Sequence, residues 1–229
     1  MAQKKKKNSN YVTEKTIKAQ LEREKAEKRR KTTKLALIIA AIVVAAALIA
    51  GAVIGIVHLA GNGESFEVTH HASIEIKNYG TVHVELYGKE APITVENFVK
   101  LANQGYYTNT TFHRIIEGFM AQGGNGASTS TITGEFESNG IENNITLSRG
   151  AIAMARTDDP DSASSQFFIV HDTEGAEHLN GDYAGFGRVT GGMDVIDKIC
   201  EDAKPYYNNG SILPANQPII TSISIHAAH

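Results

Sequence analysis

A long apolar run from Leu35 to Leu59 gives way, from Phe66 onward, to short stretches in which apolar and polar residues alternate. The first run has the roughly 20 residues that a helix rising about 1.5 Å per residue needs to cross a bilayer core. It predicts one transmembrane helix over residues 35–60. Farther on, Ile74-Glu75-Ile76-Lys77, then Asn78-Tyr79-Gly80, then Val82-His83-Val84-Glu85-Leu86 reads as strand, turn, strand. Other strand-like runs lie at 111–116, 119–122, 151–155, 167–170, 186–189 and 219–225. Residues 91–104 read as a helix, with Pro92 in its first turn, Val95, Phe98, Val99 and Ala102 on one face, and Gly105 as its stop. Residues 193–200 read as a second, shorter helix. The stretch 123–144 is rich in Gly, Ser, Thr and Asn and predicts a long loop. Many antiparallel strands with two isolated helices predict a mainly β domain, a closed barrel with the helices covering its ends.

Charge divides the chain in the same places. Residues 1–34 hold 13 Lys/Arg against 4 Glu, residues 35–60 hold no charged side chain, and residues 61–229 hold 9 Lys/Arg against 21 Asp/Glu. The expected organisation is a basic tail over 1–34, the anchor over 35–60, a linker over 61–67 and a β domain over 68–229. Basic flanks stay on the cytoplasmic side, so the tail is expected inside and the β domain outside the cell membrane. A cleaved signal peptide is the competing reading. It fits poorly, because 34 residues precede the apolar run and His58 stands three places before Ala60. The cations of the tail do not alternate with aromatic residues, Tyr11 being the one aromatic there, which disfavours a nucleic-acid partner. Cys200, the single cysteine, cannot form an intramolecular disulfide. His70-His71 and His226 with His229 lie near the ends of the β domain, without cysteine partners or a HExxH spacing, so no metal site is expected.

The candidate chemistry sits in Phe112-His113-Arg114-Ile115-Ile116-Glu117-Gly118-Phe119-Met120-Ala121-Gln122-Gly123-Gly124. A guanidinium stays charged at physiological pH and offers five donors in a rigid fork. Among apolar neighbours, where water is scarce, each of those hydrogen bonds counts for more. A structural ion pair with a glutamate is the plainer alternative for Arg114.

Residues 107–124 resemble the signature of the cyclophilin-type peptidyl-prolyl isomerases. Ala151-Ile152-Ala153-Met154-Ala155-Arg156, Ser165-Gln166-Phe167-Phe168-Ile169, His178-Leu179-Asn180-Gly181 and Phe186-Gly187-Arg188-Val189 resemble the blocks that follow, in family order. The Asp158-Asp159-Pro160-Asp161-Ser162 loop and Tyr183 look more like bacterial than animal members. The resemblance implies an eight-stranded antiparallel barrel with two capping helices and cis/trans interconversion of the bond before proline, without metal or cofactor. Rotation of a peptide bond meets a barrier of about 18–20 kcal/mol, and the enzyme must favour the twisted amide, in which the nitrogen lone pair is freed.

The same resemblance implies the residue roles. Arg114 would donate toward the prolyl nitrogen and the neighbouring carbonyl. Phe119, Met120, Phe168 and Leu179 would seat the proline ring. Gln122 would bind substrate backbone and hold Arg114, and His113 would line the groove. The Ala155-Arg156 backbone would pair with residues before the proline, and Tyr183 would close the pocket. Two positions depart from the family pattern: Glu117 replaces the usual proline, and His178 stands where many members carry the tryptophan associated with tight cyclosporin binding. Weak cyclosporin binding is therefore expected. The expected partners are the membrane, through residues 35–60, and proline-containing unfolded or exported polypeptides whose folding the enzyme would assist. A non-catalytic module that grips proline segments at the membrane is the alternative.

Overall fold

The computed structural model describes residues 65–228. The basic tail, the anchor and the start of the linker expected from the sequence lie outside the described residues. Among the described residues no helix is long and apolar enough to cross a membrane.

The first hairpin joins β1 (His70–Ile76) to β2 (Gly80–Leu86), with Ile76 paired to Gly80. Asn78 takes a φ of 68° in the connecting turn, a left-handed conformation that asparagine tolerates better than most residues. Both strands alternate strictly: Ala72, Ile74, Ile76, Val82, Val84 and Leu86 are buried on one face. Helix α1 (Pro92–Asn103) follows, with Pro92 at its first turn. Gly105, at a φ of 71°, ends it: its N–H bonds the Ala102 carbonyl and the Tyr106 N–H bonds the Leu101 carbonyl. Its N-terminus is capped from afar. Ala91 offers no capping side chain, and the buried carboxylate of Glu135 accepts from the N–H groups of Ile93 (3.0 Å) and Thr94 (2.7 Å).

Strands β3 (Phe112–Ile116), β4 (Met120–Gly123), β5 (Ala151–Met154), β6 (Phe167–Val170), β7 (Gly185–Gly191) and β8 (Ile220–Ala227) complete one antiparallel sheet in the order β3-β4-β6-β5-β7-β2-β1-β8. Its inner face is the main core, where Phe98, Tyr107, Phe112, Phe167 and Phe186 form a cluster of tilted and edge-on rings. Helix α1 packs against β8, and a later helix, α3 (Met193–Asp202), packs against β2 and β4. Burial of Cys200 on α3 pushes its thiol up to about 12, so it is an unreactive core residue.

Two expectations need correction. The barrel is not closed, because no ladder joins β3 to β8. Contact there consists of an isolated bridge between Thr111 and Ile219, with the Phe112 N–H bonded to the Pro218 carbonyl, the Ile220 N–H to the Thr110 carbonyl and the Asn109 N–H to the Ile220 carbonyl. Beyond Thr111 the free edge of β3 is taken by the loop before β8. Ser211 bridges Arg114, the Ile115 N–H bonds the Gly210 carbonyl, and the Ile212 N–H bonds the His113 carbonyl. Pro218 also lacks the N–H that a ladder would need. The second correction is an additional short helix, α2 (Thr173–Ala176), capped by Asp172.

Strands β5 and β6 are buried on both faces. Their outer face belongs to a smaller apolar cluster of Met120, Leu147, Ala151, Ala153, Phe168, Val170, Ala176 and Leu179. The sheet is thus covered on this side by residues 171–183, and the rim of that cover frames the candidate site.

Candidate active site

Antiparallel pairing sets the site. Arg114 lies directly opposite Gln122, Gln122 opposite Phe168, and Phe168 opposite Ala153. Directly paired residues share a face of the sheet, so one row of four strands lines up a cation, an amide, a ring and a small residue on the outer face. The small side chain of Ala153 leaves room for the ring of Phe168.

A β-bulge makes this possible. Phe112 pairs with Gly123 and Arg114 with Gln122, leaving His113 as the extra residue. Without it, strict alternation would put Phe112 and Arg114 on one face. With it, Phe112 and Ile115 are both fully buried and Arg114 turns outward.

Arg114 is held on two sides. Its Nε donates to the Asn209 carbonyl (2.8 Å), and its Nη1 donates to Gln122 Oε1 (3.3 Å) and lies 3.9 Å from the Met120 sulfur. Among the described residues Nη2 donates to no protein atom, so two N–H groups remain for a ligand. The guanidinium carbon sits 5.9 Å from the centre of the Phe119 ring. Burial lowers the Arg114 pKa from its ordinary value, and Tyr183 opposes that shift. A guanidinium nevertheless stays protonated at neutral pH. The Gln122 amide is oriented at both ends, because its Nε2 donates to Gln166 Oε1 (3.0 Å).

Around these groups lies a cleft of about 230 Å³ lined by Arg114, Phe119, Met120, Gln122, Ala155, Arg156, Phe168, His178, Leu179 and Tyr183. The floor is apolar: Met120, Phe168 and Leu179 are buried. Tyr183 stands edge-on to Phe168 at 5.7 Å. The Arg156 guanidinium lies over the Tyr183 ring at 4.7 Å and near the Phe136 ring at 5.0 Å, and it bonds the Asp182 and Thr157 carbonyls. These contacts fix Tyr183 as one wall. The His178 ring lies 5.4 Å from that of Phe119 on the opposite side.

A family model described as cyclophilin type peptidyl-prolyl cis-trans isomerase/CLD matches residues 71–225. The chain belongs to the cyclophilin-type peptidyl-prolyl cis-trans isomerases. It is 37% identical to the peptidyl-prolyl cis-trans isomerase A of Dickeya dadantii, over 77% of this chain and 96% of that protein. It is 38% identical to the peptidyl-prolyl cis-trans isomerase B of Escherichia coli, over 65% of this chain and 95% of that protein. A cyclophilin type peptidyl-prolyl cis-trans isomerase from Cryptosporidium parvum superposes with a TM-score of 0.60 at 27% identity, covering 71% of this chain and all of that one. The chain is therefore an enzyme that interconverts the cis and trans forms of the bond before proline.

Nine of the ten residues singled out in the sequence line this cyclophilin's cleft. His113 does not. As the bulge residue it is half-buried beside Gln166, its Nδ1 has no hydrogen-bond partner, and burial lowers its pKa from the ordinary value. Three contributors escaped the sequence reading of the site. His178 was noted as a departure from the family and proves to be a wall. Gln166, two residues before Phe168, orients Gln122. Asn209 anchors Arg114 through its main chain, for which no side-chain signal exists.

Proposed function

We propose that Arg114, Phe119 and Gln122 carry the isomerisation in this cleft. The observation behind this assignment is the pair of uncommitted Nη2 donors of a half-buried guanidinium beside an apolar floor. The proline ring rests on Phe119, Met120, Phe168 and Leu179. Arg114 donates toward the prolyl nitrogen as the amide twists and its lone pair becomes available, an interaction stronger in the twisted state than in either planar one. Gln122 holds the fork in place and donates to substrate backbone. The residues before the proline pair with the Ala155-Arg156 backbone. Among the described residues the Ala155 carbonyl and the Arg156 N–H bond no other group, whereas the Ala155 N–H is spent on the Gln166 carbonyl. Tyr183 closes the far wall.

We further propose that the enzyme is a single-pass membrane protein held by residues 35–60, with its N-terminus cytoplasmic and residues 65–229 outside, where it acts on exported proline-containing polypeptides. The uncharged apolar run and the basic tail before it support this orientation. Protease added to intact cells should remove the isomerase unit. Full protection until the membrane is opened would place the unit inside and sink this arrangement.

Cyclosporin is expected to bind weakly. His178 offers a smaller ring than the indole common in the family, and the chain contains no tryptophan. Inhibition of isomerase activity titrated with the drug should need micromolar concentrations or more, and submicromolar inhibition would show that the imidazole suffices.

A further inference from the structure

The β3–β4 turn carries Phe119 into the cleft, and the contacts that hold that turn lie outside the cleft. Gly118 adopts a φ of 73° at the tip, and the Phe119 N–H closes the turn onto the Ile116 carbonyl at 3.0 Å. Behind it, the Phe119 carbonyl accepts from the N–H groups of His171 (2.9 Å) and Asp172 (3.3 Å). The first turn of α2 presses on the same place, since a Cβ on Gly175 would collide with the Gly118 carbonyl. The side chain of His171 completes the support. Its Nδ1 lies 3.0 Å from the Gly118 nitrogen, and its Nε2 lies 3.3 Å from Asp197 Oδ1 on α3.

The roles of the two ring nitrogens follow from the partners. A main-chain N–H can only donate, so Nδ1 accepts and the proton sits on Nε2, directed at the carboxylate. Asp197 is itself fixed. Both of its oxygens accept from Arg149 Nη2 (2.8 and 2.7 Å), while Arg149 Nη1 donates to the His171 carbonyl (2.6 Å). Arg149 also holds the Asp197 carboxyl below the usual carboxylate range. The imidazole is mostly covered, its side chain being 18% exposed. A line of polar contacts thus runs from helix α3 through Asp197 and His171 to the Gly118 amide that precedes Phe119.

We propose that His171 is a positioning residue for the isomerase reaction: clamped between the Gly118 amide and the Asp197 carboxylate, its ring fixes the turn that presents Phe119 to the proline. This rests on the role given to Phe119 above. Mechanically, a turn with a left-handed glycine at its tip has few internal constraints, and the side chain it carries must meet a ring of fixed size. A displacement of about 1 Å at a reacting centre can lower a rate by about a hundredfold.

The test measures kcat and KM of the full chain on a proline-containing peptide, with Arg114→Ala as reference. His171→Leu fills the space without an acceptor and should lower kcat/KM about tenfold. His171→Asn places an amide oxygen where Nδ1 stood and should recover most of that loss, although it cannot reach Asp197. A purely space-filling role predicts the opposite ranking. If His171→Leu does not fold, His171→Gln serves instead: it reaches Asp197 but leaves the Gly118 amide unpaired, and it should show the same loss. Wild-type rates in the Leu or Gln variant, or no recovery with Asn, overturn the proposal while a defective Arg114→Ala leaves the cleft assignment standing. Wild-type rates in Arg114→Ala would instead remove the cleft assignment, and this proposal with it.

Discussion

Arg114→Ala is expected to lower kcat/KM for a proline-containing peptide by about a hundred- to a thousandfold, the range seen when one preorganised donor to a developing lone pair or oxyanion is removed. The reasoning starts from the amide. Planarity is maintained by conjugation worth much of the ~18–20 kcal/mol rotational barrier, so a donor that reaches the nitrogen only when the lone pair is freed acts on the barrier and not on the ground state. Arg114 is prepared for this. Its Nε is committed to the Asn209 carbonyl and its Nη1 to Gln122, so the fork cannot swing away, and Nη2 stays uncommitted. Arg114→Lys should recover little, because a single ammonium cannot bond Asn209, Gln122 and the substrate in one plane. Thermal unfolding of both variants should stay cooperative, which separates lost chemistry from lost structure. An alanine variant with wild-type kcat/KM would show that the apolar seat alone performs the reaction.

Glu135→Ala is expected to destabilise the isomerase unit by about 3 kcal/mol, because one buried and one part-buried amide lose their acceptors at roughly 1–3 kcal/mol each. Glu135 is 2% exposed, and its two oxygens are the acceptors for the Ile93 and Thr94 N–H groups at the start of α1. A carboxylate there also meets the positive end of the helix dipole. The N-cap residue Ala91 offers no substitute. Glu135→Gln keeps one oxygen but turns an NH2 toward a donor, so it should lie between alanine and wild type. Urea unfolding should show a lower midpoint with an unchanged slope. A shift worth less than about 0.5 kcal/mol would mean that α1 finds other acceptors by moving. Activity per folded molecule should not change, since Glu135 is not among the residues lining the cleft.

These two residues differ in how readable they were. Arg114 announces itself: a permanent cation among apolar residues, eight positions before an amide, with family blocks following in order. Glu135 sits in the stretch rich in Gly, Ser, Thr and Asn that reads as loop, and nothing local marks it as buried. Its partner Thr94 is 41 residues away. The hairpin at 74–86 and helix α1 were legible for local reasons, alternation in the first case and Pro92 with Gly105 in the second. The short helix α2 was not, because four residues capped by Asp172 carry no periodicity.

The sequence by itself determined what depends on neighbours along the chain: strand and helix periods, the residues that start and stop them, and the chemistry available to Arg114, Gln122 and Phe119. It also carries the apolar run at 35–60 and the charge asymmetry around it. The tertiary structure decided which distant groups meet. It joined Gln122 to Gln166, Arg114 to the Asn209 carbonyl and Gly118 to His171, pairs separated by 44, 95 and 53 residues. It also decided facing. One bulge at His113 turned Arg114 outward between two core residues and left His113 out of the cleft lining, and a loop on the edge of β3 kept the sheet from closing. The physical reason is the same in each case. Local preference fixes backbone conformation over a few residues, whereas register, bulges and long-range hydrogen bonds are chosen by the free energy of packing the whole sheet.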